Sequence, residues 1–138
     1  MSAPTTDSKA CSNCRSAPCG QVLLAIRQFN ARQWFECHET LEPLWLTAHS
    51  ELRPFYQGII QSAIALHHWR NGNYNGSQAL LTSAADYLSQ VSSPCQWIDV
   101  SSLIVQLQTV QQRLIQLGPD RIQQLDPALL PRITTVSA

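Results

Sequence analysis

Residues 35–45 read FECHETLEPLW, a stretch that sets ionisable side chains where a helix would bury them. At 3.6 residues per turn, one face of such a helix carries Phe35, His38, Leu41, Glu42 and Trp45. His38 and Glu42 therefore lie within an apolar arc. This pattern predicts a helix that contributes a buried polar site.

A second polar stripe lies on the helix predicted at residues 53–71, where Gln57, Gln61 and His68 share one side. An unsatisfied buried polar group costs roughly 1–3 kcal/mol, so these side chains need partners. We expect the partners on the preceding helix. The predicted cluster comprises His38, Glu39, Glu42, Trp45, Gln57, Gln61 and His68.

Two interpretations of this cluster remain open. His38, Glu42 and His68, with Glu39 alongside, form a ligand set suited to zinc, manganese or iron. The motif HExxE differs from the HExxH motif of zinc peptidases because Glu42 replaces the second histidine. This difference excludes a peptidase. In the other interpretation the same groups bond to one another, align two helices and bind nothing.

Length and charge exclude several classes of protein. The 138 residues fit a single domain, and nine basic residues balance nine acidic ones. No basic run is present, so we expect no nucleic-acid partner. No apolar stretch reaches the roughly 18 residues of a membrane span, and the N-terminus has no hydrophobic signal core. We expect a cytoplasmic protein without a membrane anchor.

Residues 1–20 have the polar, Pro- and Gly-containing composition of a disordered tail. The tail carries three cysteines in the spacing CxxCxxxxC, namely Cys11, Cys14 and Cys19. This spacing suits zinc or an iron–sulfur cluster, but the fourth ligand is missing nearby, because Cys37 and Cys95 lie far along the chain. We expect a mobile, reduced segment without disulfides, with a metal or redox site as the alternative.

Apolar periodicity predicts an all-α fold, a compact single-domain bundle of about five helices with a mobile N-terminal tail. The helices are predicted at about residues 21–30, 31–48, 53–71, 75–91 and 99–117. Asn30 is predicted to cap the second helix, and Pro43 to kink it. The bundle would span residues 21–118, and residues 119–138 would pack on it or trail from it.

The fifth predicted helix has a heptad-like seam formed by Leu103, Leu107, Val110 and Leu114. Such a seam packs against a neighbouring helix. The neighbour is either in this chain or in a second copy, and the second case would be a homodimer through these four residues.

Three motifs together resemble domain-of-unknown-function family 309. They are FxxxxWFECHETLEPLW at residues 29–45, FYQGIIQSAIALHH at 55–68, and GNYNGSQALL at 72–81. Members of this family are small helical bacterial and archaeal proteins with an HExxE helix followed by a GLIQxAxxxxH helix. The resemblance implies a helical bundle and no particular reaction. The matching positions are Glu36, His38, Glu39, Glu42, Trp45, Gly58, Gln61 and His68.

A protein-interaction scaffold is the rival function. Residues 72–85 match the turn and second helix of a tetratricopeptide unit, with Gly72, Tyr74, Ser77 and Ala84 at the expected places. Only one copy is evident, so a repeat array is not predicted. The two functions differ in whether His38, Glu42 and His68 converge on an open cavity or on a closed network.

Overall fold

Helices form most of the computed structural model, which describes residues 12–136. They are α1 (Gly20–Asn30), α2 (Trp34–Thr47), α3 (Leu52–Arg70), α4 (Tyr74–Leu88) and α5 (Val100–Leu117), followed by two 3-10 turns at Ile122–Gln124 and Pro127–Leu129. Within residues 12–136 the backbone forms no strand, only isolated bridges near Ile98. Across the same residues, no helix is long and apolar enough to cross a membrane. The predicted all-α fold is confirmed.

The central helix, α3, contacts α2 on one side and α4 on the other. Its inward face buries, as the spacing predicts, Phe55, Ile59, Ala63 and Leu66. Gly58 faces α4, where a Cβ would lie 2.5 Å from Leu88 Cγ and 3.4 Å from the Ala84 carbonyl oxygen. The two helices approach this closely because residue 58 has no side chain.

The seam of α5 packs inside the chain. Its four residues, Leu103, Leu107, Val110 and Leu114, are fully buried in the single hydrophobic core. A second copy would reach these side chains only if the bundle opened. The homodimer prediction through these residues is therefore wrong, and the alternative of a neighbour within the chain holds.

The turn between α1 and α2 differs from the prediction. Asn30 is the last residue of α1, and α2 begins at Trp34 after a left-handed Arg32, whose φ is 63°. Asn30 therefore does not cap α2. Its side chain instead accepts a hydrogen bond from the Ile133 N–H at 2.8 Å and donates one to the Ile133 carbonyl oxygen at 2.9 Å.

A proline lies inside α2, and side chains cap the first turns of α4 and α5. α2 continues through Pro43, whose missing N–H removes the helical donor to the Glu39 carbonyl. Asn73 caps α4, since its Oδ1 accepts a hydrogen bond from the Gly76 N–H at 2.8 Å. Asp99 caps α5 in the same way, since its Oδ1 accepts one from the Ser102 N–H at 3.0 Å.

The segment before α1 packs against the bundle. Cys14 and Cys19 are buried in the core, and Cys14 forms a disulfide with Cys95, 81 positions away in sequence. Cys19 is disulfide-bonded as well. The prediction of mobile, reduced cysteines is therefore wrong for residues 12–19, because the fold brings together cysteines that are distant in sequence. Cys11 lies outside the described residues.

The chain after α5 folds back along the bundle. It buries four apolar side chains, Ile122, Leu125, Leu130 and Ile133. Trp69 of α3 donates from Nε1 to the Ile122 carbonyl oxygen at 2.7 Å. This segment therefore completes the core, while the proposed division of the chain at residues 20 and 118 stays a prediction.

We expect Gly58→Ala to lower the free energy of unfolding by about 1–3 kcal/mol, because the new methyl group would overlap the buried Leu88. Urea unfolding followed by circular dichroism measures the change. Gly20→Ala is the matched control, since a Cβ there meets nothing within 4 Å, and its stability should stay equal or rise slightly. Wild-type stability of Gly58→Ala would contradict the close packing of α3 on α4.

Asn30→Ala should lower the free energy of unfolding by about 1–3 kcal/mol, because two hydrogen bonds to Ile133 are lost at a partly buried site. Amide hydrogen exchange should then speed up in the segment around Ile133. The control is Asn75→Ala, at an exposed position of α4. If the two variants are equally stable, Asn30 does not hold the C-terminal segment.

Candidate functional site

Two contacts fix the register of α2 against α3. Trp45 donates from Nε1 to Gln57 Oε1 at 3.1 Å, and the rings of Phe35 and His67 lie 5.5 Å apart. Residue numbers therefore rise along one helix as they fall along the other, so the helices are antiparallel. Trp45 and Gln57, two members of the predicted cluster, thus form a hydrogen bond between these two helices.

His38 has 23% of its side chain exposed and lies about one turn from the level of Gln61 in this register. Its Nε2 is 3.8 Å from Glu42 Oε2, one turn along α2. His38 Nδ1 and Gln61 Oε1 are both buried, and neither has a hydrogen-bond partner among residues 12–136. The polar cluster is thus only partly satisfied.

The two adjacent histidines of α3 have different surroundings. His67 contacts Phe35 of α2, whereas His68 Nδ1 lies 3.3 Å from Asn73 Nδ2 in the turn to α4. The imidazole that contacts Phe35 of α2 is therefore that of His67, which is not a member of the predicted cluster. Successive helical residues differ by about 100° around the axis, so the side on which α2 packs decides between them.

The carboxylates of α2 point outward. The buried residues of the helix are Trp34, Cys37 and Leu41; of these, only Leu41 belongs to the arc inferred from the sequence. As a result Glu42 has 53% of its side chain exposed, and Glu39 and Glu36 are exposed as well.

No metal centre is assembled from these side chains. Within residues 12–136, no group of three or more His, Cys, Asp or Glu residues is placed to hold a metal ion. Of the predicted ligands, His38 approaches Glu42, but His68 Nδ1 lies 3.3 Å from Asn73 Nδ2 in the turn to α4.

The tryptophans stabilise the helix pair. Trp34 is buried edge-to-face against Trp69, with ring centroids 6.3 Å apart. The Arg70 guanidinium lies 4.2 Å from the centre of Trp34, and Arg53 lies 4.4 Å from Trp45. These cation–π contacts lie at the two ends of the interface and help to stabilise it.

One partly exposed side of α2 carries a feature that we did not single out from the sequence. Phe35 and Leu46 are large apolar residues with 44% and 63% of their surface exposed. Between them lie the exposed Glu39 and Glu42. We call these four residues the outer stripe. Their spacing of four, three and four residues places them on one side of the helix, and this spacing is the signal that could have found them.

Cys37, in the middle of the same motif, is a fully buried free thiol. Burial disfavours the thiolate and raises the pKa of Cys37 from 9.0 to about 12. The thiolate is the reactive form of cysteine, so Cys37 is not poised as a nucleophile.

This shift predicts a pH dependence of stability. The folded chain keeps Cys37 protonated, whereas the unfolded chain loses the proton above about pH 9. The contribution of Cys37 is therefore complete below pH 9 and is lost progressively as the pH rises toward 12. Urea unfolding of wild type and Cys37→Ala between pH 8 and 11 should show the steeper loss in wild type. Equal changes of stability with pH in the two proteins would contradict this prediction. All other titrating groups are present in both proteins, so a difference between them reports Cys37.

The similarity of this chain to known proteins lies in the helices that contain the candidate site. Residues 22–80 match the model of the family described as Domain of unknown function (DUF309). A 59-residue segment is 39% identical to the uncharacterized protein YpuF of Bacillus subtilis (strain 168), over 41% of this chain and 34% of that protein. A 46-residue segment is 39% identical to an uncharacterized protein of Aquifex aeolicus (strain VF5), over 33% of this chain and 14% of that protein.

This chain thus spans about a third or less of the length of these two relatives. The match begins two residues into α1 and ends within α4, so it contains both helices of the candidate site. The resemblance inferred from the motifs is confirmed by the match of residues 22–80 to the DUF309 model.

Proposed function

We propose that this protein is a protein-interaction module that binds a helical segment of a partner along the outer stripe of α2. The observation that carries the proposal is the exposure of Phe35 and Leu46 on one side of α2. Large apolar side chains at regular helical spacing are the usual anchors when an amphipathic helix is recognised. The interaction would be an adaptor or scaffold function, without catalysis.

The charges of the stripe indicate the chemistry of the partner. Glu39 and Glu42 are exposed between the two apolar ends. A complementary helix therefore has apolar residues at its ends and Lys or Arg between them, because complementary potentials favour the correct partner and register. We infer a basic amphipathic helix.

A second copy of this chain is a poor occupant for the same reason. If two outer stripes packed antiparallel, Phe35 of one copy would meet Leu46 of the other, and Glu39 would meet Glu42 twice. Juxtaposed like charges cost several kcal/mol at an interface. The stripe is therefore better suited to a different, basic partner.

A ligand or metal site between α2 and α3 has less support. The atoms that lack partners, His38 Nδ1 and Gln61 Oε1, are buried, so a ligand would reach them only after these side chains rotate. His68, the predicted second imidazole, is turned toward Asn73. The interaction function needs no such rearrangement, because its residues are already exposed.

The test uses the full chain and a synthetic helical peptide with two leucines spaced like Phe35 and Leu46 and lysines between them. We expect saturable binding by isothermal titration calorimetry, with amide chemical-shift changes concentrated on α2. Leu46→Ser should weaken binding by roughly tenfold or more, because a desolvated apolar anchor contributes on the order of 2 kcal/mol.

The matched control is Ile115→Ser, which removes an equally exposed apolar residue, 59% exposed, from α5. It should leave the affinity unchanged. The double variant Glu39→Lys, Glu42→Lys should no longer bind the lysine-containing peptide and should instead bind a peptide with glutamates at the lysine positions. Absence of shift changes on α2, or equal affinity of the Leu46→Ser and Ile115→Ser variants, would overturn the proposal.

A further inference from the structure

A cavity of about 240 Å³ lies between the turn that joins α1 to α2 and the segment that follows α5. Two arginines line it, Arg32 from the turn and Arg132 from the segment. The rest of the wall includes Asn30, Pro127 and Pro131. The fold thus brings two arginines to one cavity, although they are 100 positions apart in the sequence.

Hydrogen bonds to the backbone fix the position of Arg132. The Gln106 side chain of α5 accepts from the Arg132 N–H at 2.8 Å and donates to the Arg132 carbonyl oxygen at 3.0 Å. The next residue, Ile133, is held in the same way by the Asn30 side chain. Amide side chains from two different helices therefore hold two consecutive residues of this segment in place.

The turn that carries Arg32 is also held by hydrogen bonds. The Arg32 N–H donates to the Phe29 carbonyl oxygen at 3.0 Å, and the Arg32 carbonyl oxygen accepts from Arg70 Nη2 at 2.7 Å. The φ of Arg32 is 63°, a left-handed conformation that a non-glycine residue keeps only where its surroundings impose it. Both arginines of the cavity therefore extend from a fixed backbone.

The two guanidinium groups have no anionic partner among residues 12–136. The ion pair found in this part of the chain joins His38 and Glu42. Arg132 Nη1 donates one long hydrogen bond, to the Asn30 carbonyl oxygen at 3.4 Å, and the Arg32 side chain makes none within the same residues. A guanidinium group has five N–H donors, so most of these donors face no protein acceptor.

The carboxylate that is nearest to the cavity wall along the chain is already engaged. Asp126 directly precedes Pro127, and its Oδ1 accepts from the Ala128 N–H at 3.0 Å. This bond caps the second 3-10 turn. An anion that neutralises the two arginines therefore has to come from outside the described chain.

We propose that this cavity binds a small phosphate monoester, with the phosphate group between Arg32 and Arg132. The planar guanidinium fork matches the oxygens of a phosphate group, to which it donates two parallel hydrogen bonds. A phosphate monoester carries close to two negative charges at neutral pH, whereas a carboxylate carries one. Two arginines at one cavity therefore favour phosphate over a carboxylate.

The volume of the cavity indicates the size of the ligand. At roughly 30 Å³ for each water-sized group, the space holds on the order of eight such groups. It is smaller than the cavities of roughly 300–1,000 Å³ that hold drug-sized ligands. A phosphate group fills part of the space and leaves room for an organic part of a few atoms. Pro127 and Pro131 have no N–H to donate, so that part is uncharged or apolar.

The balance of charge over the whole chain argues against a nucleic acid as the source of the phosphate. Nine basic residues are matched by nine acidic ones, and two arginines neutralise too few phosphates for tight binding to a nucleic acid. The cavity shares no residue with the outer stripe. The inference is therefore independent of the proposed interaction function.

Isothermal titration calorimetry on the full chain, in a buffer without phosphate, tests this site with glycerol phosphate, inorganic phosphate and acetate as probes. We expect saturable binding of glycerol phosphate, weaker binding of inorganic phosphate, and no binding of acetate at the same concentrations. The amide chemical shifts that change with glycerol phosphate should be those of residues 30–33 and 128–133, because these residues surround the cavity.

Variants assign the binding to the two arginines. Arg32→Gln and Arg132→Gln should each weaken glycerol phosphate binding roughly tenfold or more, because each removes charge-assisted hydrogen bonds. Arg132→Lys keeps the charge without the planar fork and should give an intermediate affinity. The matched control is Arg113→Gln, which removes an exposed arginine of α5 that bonds to Gln116, and its affinity should equal that of wild type.

Four outcomes would overturn this site. They are no binding of glycerol phosphate, equal affinity for glycerol phosphate and acetate, equal affinity for glycerol phosphate and inorganic phosphate, and an equal loss of affinity in Arg113→Gln and Arg132→Gln. Both arginines of the cavity are exposed, so their variants should fold like wild type. Thermal unfolding followed by circular dichroism checks this expectation for each variant.

Discussion

The backbones of α3 and α4 meet at Gly58, where the Leu88 side chain fills the space that a larger residue would need. Each helix of the bundle contacts the next one in sequence. On one side of the α3–α4 contact, α2 packs on α3 and α1 packs on α2. On the other side, α5 packs on α4. The contact at Gly58 therefore lies between the pair α1–α2 and the helix α5 in this series of packed helices. The absence of a side chain at residue 58 lets α3 and α4 approach closely at this point.

Periodicity was sufficient to predict the helices, because it reports which residues of one element face inward. The buried face of α3 and the seam of α5 follow from it directly. The start of α2 did not follow. Asn30 has the chemistry of a cap, but its amide is occupied by Ile133, 103 positions away, and no local pattern reveals such a partner.

Sequence periodicity was also insufficient to predict which side chains of α2 and α3 face each other. The polar stripe on α3 was visible in the sequence, yet the side on which α2 packs was not. A step of one residue turns a helix by about 100°, so the side on which α2 packs decides whether His67 or His68 contacts Phe35. The buried face of α2 includes Trp34 and Cys37 instead of Phe35 and His38. Glu39 and Glu42 are exposed as a result and form an acidic surface with apolar ends.

The loop at residues 95–98 joins two segments that are far apart along the chain. On one side Gln96 bonds to Cys14, and on the other Asp99 and Val136 pair with the backbone at Thr134 and Trp97. The contacts between successive helices are local, whereas those of this loop need residues from both the first and the last described segments. During synthesis the helix pairs can form as they emerge, but the loop stays incomplete until residue 136 has left the ribosome.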